Sequence, residues 1–513
     1  MVSNYEKMEK KLAKGTSPRN IIILALLLVP VFFVNNRDSH DWGGDFAMYI
    51  MQAGNIVKGL PQAETPYVYN PGNPVLGPPA YPIGFPLLLS PVYAVFGNNV
   101  AVFTYWITLF LFAFGLVTAA WLRKYFSDLI AVFLVLIIVY NPWTLNMKLE
   151  IMSEFPFALL MVLLVWLYGK CENGPYWMWV VLAVLGGLLI SVRTIGFVFP
   201  LALFAYLIRR RFIDRENRLT GKRLFAFLVP LGAVLVYLLL NRLVFAVPQA
   251  DGGSYTGIWD GDEKLYATVL YNLAYYTEQF KFFFSPWGGS WNFLPLMLKA
   301  AIFTFTLLGM IRSFARKWEL ADMVVILYLL VLLVYPYRHA GIRFLFPLIP
   351  LLMVYLVRGL ESVSLFPGIR KQSKTVFLGL LVLVSYLNMF WYIIHTDHQT
   401  LPGPQEKSSQ EAFAYIRDHT PADAVIIFAK PRVLALYTGR QSIANHKELP
   451  ARDIADLIFE YGVNYVLVHE EVSDEAIKDF IYRQDYICEY YWSNDKFVLY
   501  RVVIQSGTGS IPG

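Results

Sequence analysis

The chain of 513 residues is 57% hydrophobic and only 16% charged, and it carries 33 Tyr, 38 Phe and 13 Trp. Soluble domains run at about 45–50% apolar and about 25% charged residues. An ordinary soluble fold is therefore excluded, and a polytopic membrane protein is indicated. A formal net charge of +6 is small for this length, and the basic clusters lie between apolar runs rather than along one face, which excludes nucleic acid as a partner.

Residues 1–19 are polar and carry Lys7, Lys10, Lys11 and Lys14, so the apolar run that follows reads as a retained anchor rather than a cleaved signal. Runs approaching the length that crosses a bilayer lie at 20–35, 99–122, 128–141, 155–169, 176–191, 195–208, 224–246, 295–311, 321–336, 344–357 and 375–394, which predicts about eleven transmembrane helices. A shorter proline-bearing stretch, Tyr81 to Phe96, is expected to dip into the interface without crossing. With the N-terminus inside, the cations at Arg123–Lys124 and in 209–223, 312–317 and 368–374 all fall on the inner side. The long loops 36–98 and 247–294 then lie outside, and so does the tail after 394. From Gln405 the tail alternates helical stretches with the strand-like "AVIIFA", "NYVLVHEE" and "FVLYRVV", a small soluble α/β domain. The expected division is 1–394 in the membrane and 395–513 outside. Cys171 and Cys488 then lie on opposite sides, and no disulfide is expected.

Candidate chemistry gathers on the outer side. In "HDWGGDFAMYIMQAGNIVKG", Asp41 and Asp45 are four apart, which on a helix places them on one face. Asp45 begins an amphipathic stretch suited to the interface, where the helix dipole favours a carboxylate. A base there can deprotonate an acceptor hydroxyl; the alternative is a helix N-cap. In "LEIMSEFPFALL", Glu150 and Glu154 repeat the spacing, and Pro156 suits a first helical turn. That pattern fits a cap, but an acid at membrane depth calls for a partner or a function. Arg193, Arg338 and Arg343 suit phosphate recognition and equally suit snorkelling to the interface. His339 reads as a hydrogen-bonded loop residue or a base, and Lys281 is a further outer cation. No His/Cys metal cluster and no glycine-rich phosphate loop is present. No cofactor is called for, although carboxylates can hold a divalent metal such as Mg²⁺.

The order of these segments resembles the membrane-embedded GT-C glycosyltransferases, in the branch of the protein O-mannosyltransferases and aminoarabinose transferases. "GGDFAMYIMQAGNIVKG" looks like that family's first outer loop and "YPIGFPLLLSPVYAVFG" like its proline-rich interfacial helix. "SEFPFALL" looks like the acidic start of a later span, and "RTIGFVFPLAL" and "RFLFPLIPLL" like its Arg-bearing span starts. The likeness covers roughly residues 20–360. It implies a multi-pass cell-membrane transferase acting in the cell envelope. The donor would be a polyprenyl-phosphate-linked sugar and the acceptor a protein, lipid or glycan. Asp45 would be the base, Glu154 a second catalytic acid and Arg343 a lipid-phosphate contact. Asp41, Arg193, Lys281, Arg338 and His339 would complete the substrate site. Tyr81 joins them from a position where the aminoarabinose branch carries a basic residue. A secondary transporter or lipid flippase is the runner-up, but no inverted repeat and no midplane charge pattern supports it.

Overall fold

The computed structural model describes residues 18–73, 76–214, 221–244, 265–285, 293–316, 318–336, 340–363, 371–396, 401–445, 451–483 and 487–503. They fall into two compact units. The first holds the described residues of Met1–Asn36, Phe103–Val244 and Asp260–His398, and the second those of Arg37–Val102 and Gln399–Gly513.

The first unit is helical. Among the described residues, four helices are long and apolar enough to cross a membrane: Val100–Leu122, Glu154–Cys171, Leu224–Asn241 and Pro295–Phe314. A fifth is formed if Gln372–Leu387 and Met389–His395, bent by 46°, count as one span. Arg19–Phe32, Asp128–Val139, Trp177–Val192 and Leu320–Val334 are apolar but shorter. The expected run 195–208 opens with a 3-10 turn, Thr194–Phe197, and continues as the helix Val198–Phe212. The run 344–357 likewise begins in 3-10 turns and becomes helical only over Ile349–Ser362.

The outer faces of these helices need an apolar solvent. Leu224, Leu228, Leu231 and Leu235 form one stripe, and Leu231 is 69% exposed. In water such a stripe is an aggregation site; in lipid it is the expected surface. Between helices the packing relies on small residues. A Cβ on Gly309 would lie 1.9 Å from the Tyr355 carbonyl oxygen, and one on Gly359 would lie 1.8 Å from that of Phe305. Two glycines thus let Phe293–Phe314 and Ile349–Ser362 cross backbone to backbone.

The second unit is built on a six-stranded sheet of β1 (Tyr67–Val68), β2 (Val425–Ile427), β3 (Gln441–Ile443), β4 (Tyr465–His469), β5 (Cys488–Ser493) and β6 (Phe497–Val502), in the order β1-β3-β2-β4-β6-β5. The first four in that order run parallel; β6 and β5 are antiparallel. Ile427, Ile443, Val466, Ile454, Leu457 and Phe480 fill the core between sheet and helices. β1 comes from the first long loop, so that loop and the tail share one sheet: Tyr67 pairs with Ser442 and Val68 with Ile443. Beyond β1, the Asn70 amide donates to the Ala444 carbonyl at 2.8 Å and Asn73 to that of Asn445 at 2.6 Å.

Two further elements of the loop complete this unit. The helix Asp45–Lys58 packs on Gly84–Phe96, where Gly54 admits the Tyr93 ring. It is not an interfacial helix with one wet face: Phe46 to Asn55 is almost wholly buried, Tyr49 alone being half-buried. Gly84–Phe96 has 13 residues, about 20 Å of helix, short of the roughly 30 Å hydrocarbon core.

Candidate active site

Parallel strands release their chain at one edge of a sheet, where ligand sites of α/β folds form. From the end of β2 the chain turns through Lys430 into the helix Pro431–Thr438, with Pro431 in its first turn and Arg432 just behind. Arg432 is 4% exposed. Its Nη1 donates to Asp45 Oδ1 at 2.8 Å and also to the Tyr81 hydroxyl, and its Nη2 donates to the Leu76 carbonyl at 2.9 Å. The Tyr81 hydroxyl donates to the same Asp45 Oδ1 at 2.6 Å. The rings of Tyr67 and Tyr81 lie 5.4 and 5.3 Å from the guanidinium carbon. Burial pushes the Tyr81 phenol well above its usual range, so it remains a donor.

Asp45 is the first residue of its helix; Gly44 is the N-cap, and no side chain caps that end. Its carboxylate faces a helix N-terminus and is 40% exposed. The glycine pair before it lies under close neighbours: a Cβ on Gly44 would lie 3.3 Å from Arg432 Cδ, and one on Gly43 would lie 2.8 Å from Asp41 Oδ1.

Asp41 does not share a helical face with Asp45, because it precedes the helix in a turn. Its Oδ1 accepts the Gly43 amide at 2.8 Å and lies 3.0 Å from His40 Nδ1. The His40 bond holds the Asp41 carboxyl below its ordinary range. Trp42 anchors this turn among Phe413, Phe428, Phe497 and His469, with ring centroids 5.5–6.4 Å away.

A second charged cluster lies in the helical unit. Glu154 opens the helix Glu154–Cys171, so Glu150 lies outside it and shares no helical face with Glu154. Glu154 Oε1 accepts Arg193 Nη1 at 2.8 Å and Arg343 Nε at 2.9 Å. Ser153 does not cap the helix by its side chain; its Oγ accepts from Arg193 instead, at 3.3 Å. Arg193 also covers the Phe344 ring at 5.0 Å. Glu154 is 3% exposed, against 19% for Arg193 and 33% for Arg343. Two guanidiniums thus share one buried carboxylate oxygen.

The structure therefore gathers Asp45 with Tyr81, and Glu154 with Arg193 and Arg343. Lys281 pairs with Glu278 on its own helix at 2.8 Å and covers Phe303. Arg338 and His339 lie outside the described residues. Sequence reasoning missed Arg432, and it missed Lys148, a buried lysine whose Nζ donates to Asn36 Oδ1 at 2.7 Å. A signal for Arg432 did exist: a cation in the first turn of a helix opposes the dipole and needs an anion nearby. As for a metal, the Asp45 trio offers one carboxylate whose Oδ1 is already held twice, so it does not by itself form a divalent-cation site.

The sequence matches no protein-family model and no curated protein. Solved structures do match. The archaeal oligosaccharyltransferase AglB from Archaeoglobus fulgidus, in complex with an inhibitory peptide and a dolichol-phosphate, superposes with a TM-score of 0.57 at 13% identity, over 92% of this chain and 72% of that one. ArnT from Cupriavidus metallidurans bound to undecaprenyl phosphate gives 0.56 at 12% identity, over 96% of this chain and 100% of that one. The arabinofuranosyltransferase AftD from Mycobacteria gives 0.52 at 14% identity, over 90% of this chain and 37% of that one. At these identities the likeness is one of fold: the chain has the GT-C architecture shared by these membrane glycosyltransferases.

Proposed function

We propose that this chain is a polyprenyl-phosphate-sugar-dependent glycosyltransferase that moves a hexosyl or pentosyl group to an acceptor hydroxyl with inversion, Asp45 acting as the base. One observation carries the reading. Asp45 presents a part-exposed carboxylate at a helix N-terminus, with one oxygen fixed and the cation that fixes it buried. The fold supports it, since the GT-C neighbours described above include transferases bound to dolichol-phosphate and undecaprenyl phosphate.

The step balances without a redox partner. The acceptor O–H proton passes to Asp45, the acceptor oxygen bonds to the anomeric carbon, and the carbon–phosphate oxygen bond breaks with its electron pair on polyprenyl phosphate. The phosphate gains charge as it leaves and needs a cation. Arg193 and Arg343 are assigned to it, with Glu154 serving catalysis by orienting the two guanidiniums. The acceptor is a protein, lipid or glycan. In this reading the chain is multi-pass with about eleven spans, and the first long loop with its base and the tail after residue 394 face the extracytoplasmic side.

Purified protein incubated with a panel of undecaprenyl-phosphate-linked sugars and candidate acceptors tests the activity. Acceptor-dependent release of undecaprenyl phosphate is expected, and no release from any donor overturns the reading. A cysteine introduced at Asn464 tests the orientation. It should react with an impermeant reagent in intact cells; reaction only after the inner face is opened reverses the topology.

A further inference from the structure

Asp45 belongs to the first loop, yet the cation that holds it comes from the tail, 387 positions further along the chain. We propose that Arg432 is a positioning residue for Asp45: with Tyr81 it pins Oδ1, so that Oδ2 alone is presented to the acceptor. The inference rests on the reading of Asp45 as the base.

Arg432 is costly to place. It is buried, and it sits in a helical first turn where the dipole disfavours a cation. Its Nη1 and Nη2 serve three groups at once, Asp45, Tyr81 and the Leu76 carbonyl, while its Nε is buried without a hydrogen-bond partner. Gly44 clears the approach and two tyrosine rings flank the guanidinium. A carboxylate 40% exposed would otherwise sample several rotamers. Two donors on Oδ1 remove that freedom.

Positioning predicts that removing Arg432 slows transfer. Neither partner competes for the proton: the guanidinium stays charged, and the Tyr81 hydroxyl already donates to Oδ1.

The test compares Arg432→Met, Arg432→Lys and Tyr81→Phe in the full chain, using whichever undecaprenyl-phosphate sugar of the panel the unaltered protein turns over. Arg432→Met should lower kcat by about 10²-fold, the loss that a misplaced reacting group brings, with donor KM held within about twofold. Arg432→Lys should recover part of the loss, because a point charge cannot serve all three acceptors. Tyr81→Phe should lower kcat by about tenfold, as for one hydrogen bond to a charged group. An unchanged or faster kcat in folded Arg432→Met overturns the proposal, as does a loss confined to KM. If that variant does not fold, an unchanged kcat in Tyr81→Phe decides against it. Asp45→Asn separates the two failures. If it retains turnover, the base reading itself is wrong; if it is dead while Arg432→Met is fully active, only the positioning role falls.

Discussion

The two charged clusters are built from the same residue types with burial reversed. Around Asp45 the cation is inside and the acid outside: the Arg432 side chain is 5% exposed and that of Asp45 40%. Around Glu154 the acid is inside and the cations outside, at 3% against 19% and 33%. Which partner is buried decides what the cluster offers a ligand. The first presents a carboxylate oxygen, suited to taking a proton. The second presents guanidinium N–H groups, suited to an anion.

The largest effect is expected where the exposed carboxylate is removed. Asp45→Asn should lower turnover by about 10²–10⁴-fold, as for loss of a general base, while donor binding persists. Its amide oxygen can still accept from Tyr81 and Arg432, so the local structure should hold. Near-normal turnover would break the contrast by making Asp45 a helix-terminal residue only. Next comes Glu154→Gln, which leaves two guanidiniums facing a neutral amide. Breaking a buried pair costs about 3–5 kcal/mol, less here because both arginines reach solvent. A lowered thermal midpoint together with weaker donor binding is expected. A protein as stable as the parent would mean that the acid does not organise the cluster.

A smaller effect is expected at the rim. Arg343→Ala should weaken donor binding by roughly tenfold or more, the value of one hydrogen bond to a charged group, with little change in kcat at saturating donor. Titration with undecaprenyl phosphate measures it. Unchanged affinity in a folded variant would remove Arg343 from the phosphate site and leave Arg193 alone.

How much of this was legible follows from the range of each interaction. Asp45, Glu154, Arg193 and Arg343 stand beside apolar runs, and local patterning marks them. The strands β2, β4 and β6 are built mostly of apolar residues and were readable too. β1, with two residues, was not, because it is a strand only by its pairing with β3. The same long-range docking hid Arg432: "AKPRVLALYTGR" shows a helix start, and nothing in it shows which carboxylate meets the arginine. The interfacial reading of Asp45–Lys58 failed for a related reason. The amphipathic stretch carries polar Gln52 and Asn55, yet both amides are buried and bonded, Gln52 to the Pro78 carbonyl and Asn55 to that of Glu64.

Mild acid should separate the two clusters by the smallest of these effects. Trp42, three residues before Asp45, lies 5.5 Å from the ring of His469. His469 Nδ1 accepts the amides of Glu471 and Val472 at 3.0 and 3.2 Å, which requires the neutral ring with its proton on Nε2. Burial lowers its pKa below the ordinary value of 6.5. The sign follows from linkage: below about 6.5 the unfolded chain binds the proton more readily than the folded one. The stabilising contribution of His469 is thus complete above that value and is lost as pH falls through the folded one. Glu154 is held by Arg193 and Arg343, and guanidiniums do not titrate in this range. Hydrogen exchange followed by mass spectrometry from pH 7.5 down to 5, corrected for intrinsic rates, should therefore show protection falling in peptides of Asp45–Lys58 and Tyr465–His469 and holding in Glu154–Cys171. His469→Asn keeps a side-chain acceptor for the two amides but cannot titrate in this range, and it should flatten the response. An equal loss of protection in both regions, or a response untouched by His469→Asn, would show that the histidine does not set the acid sensitivity of the Asp45 loop.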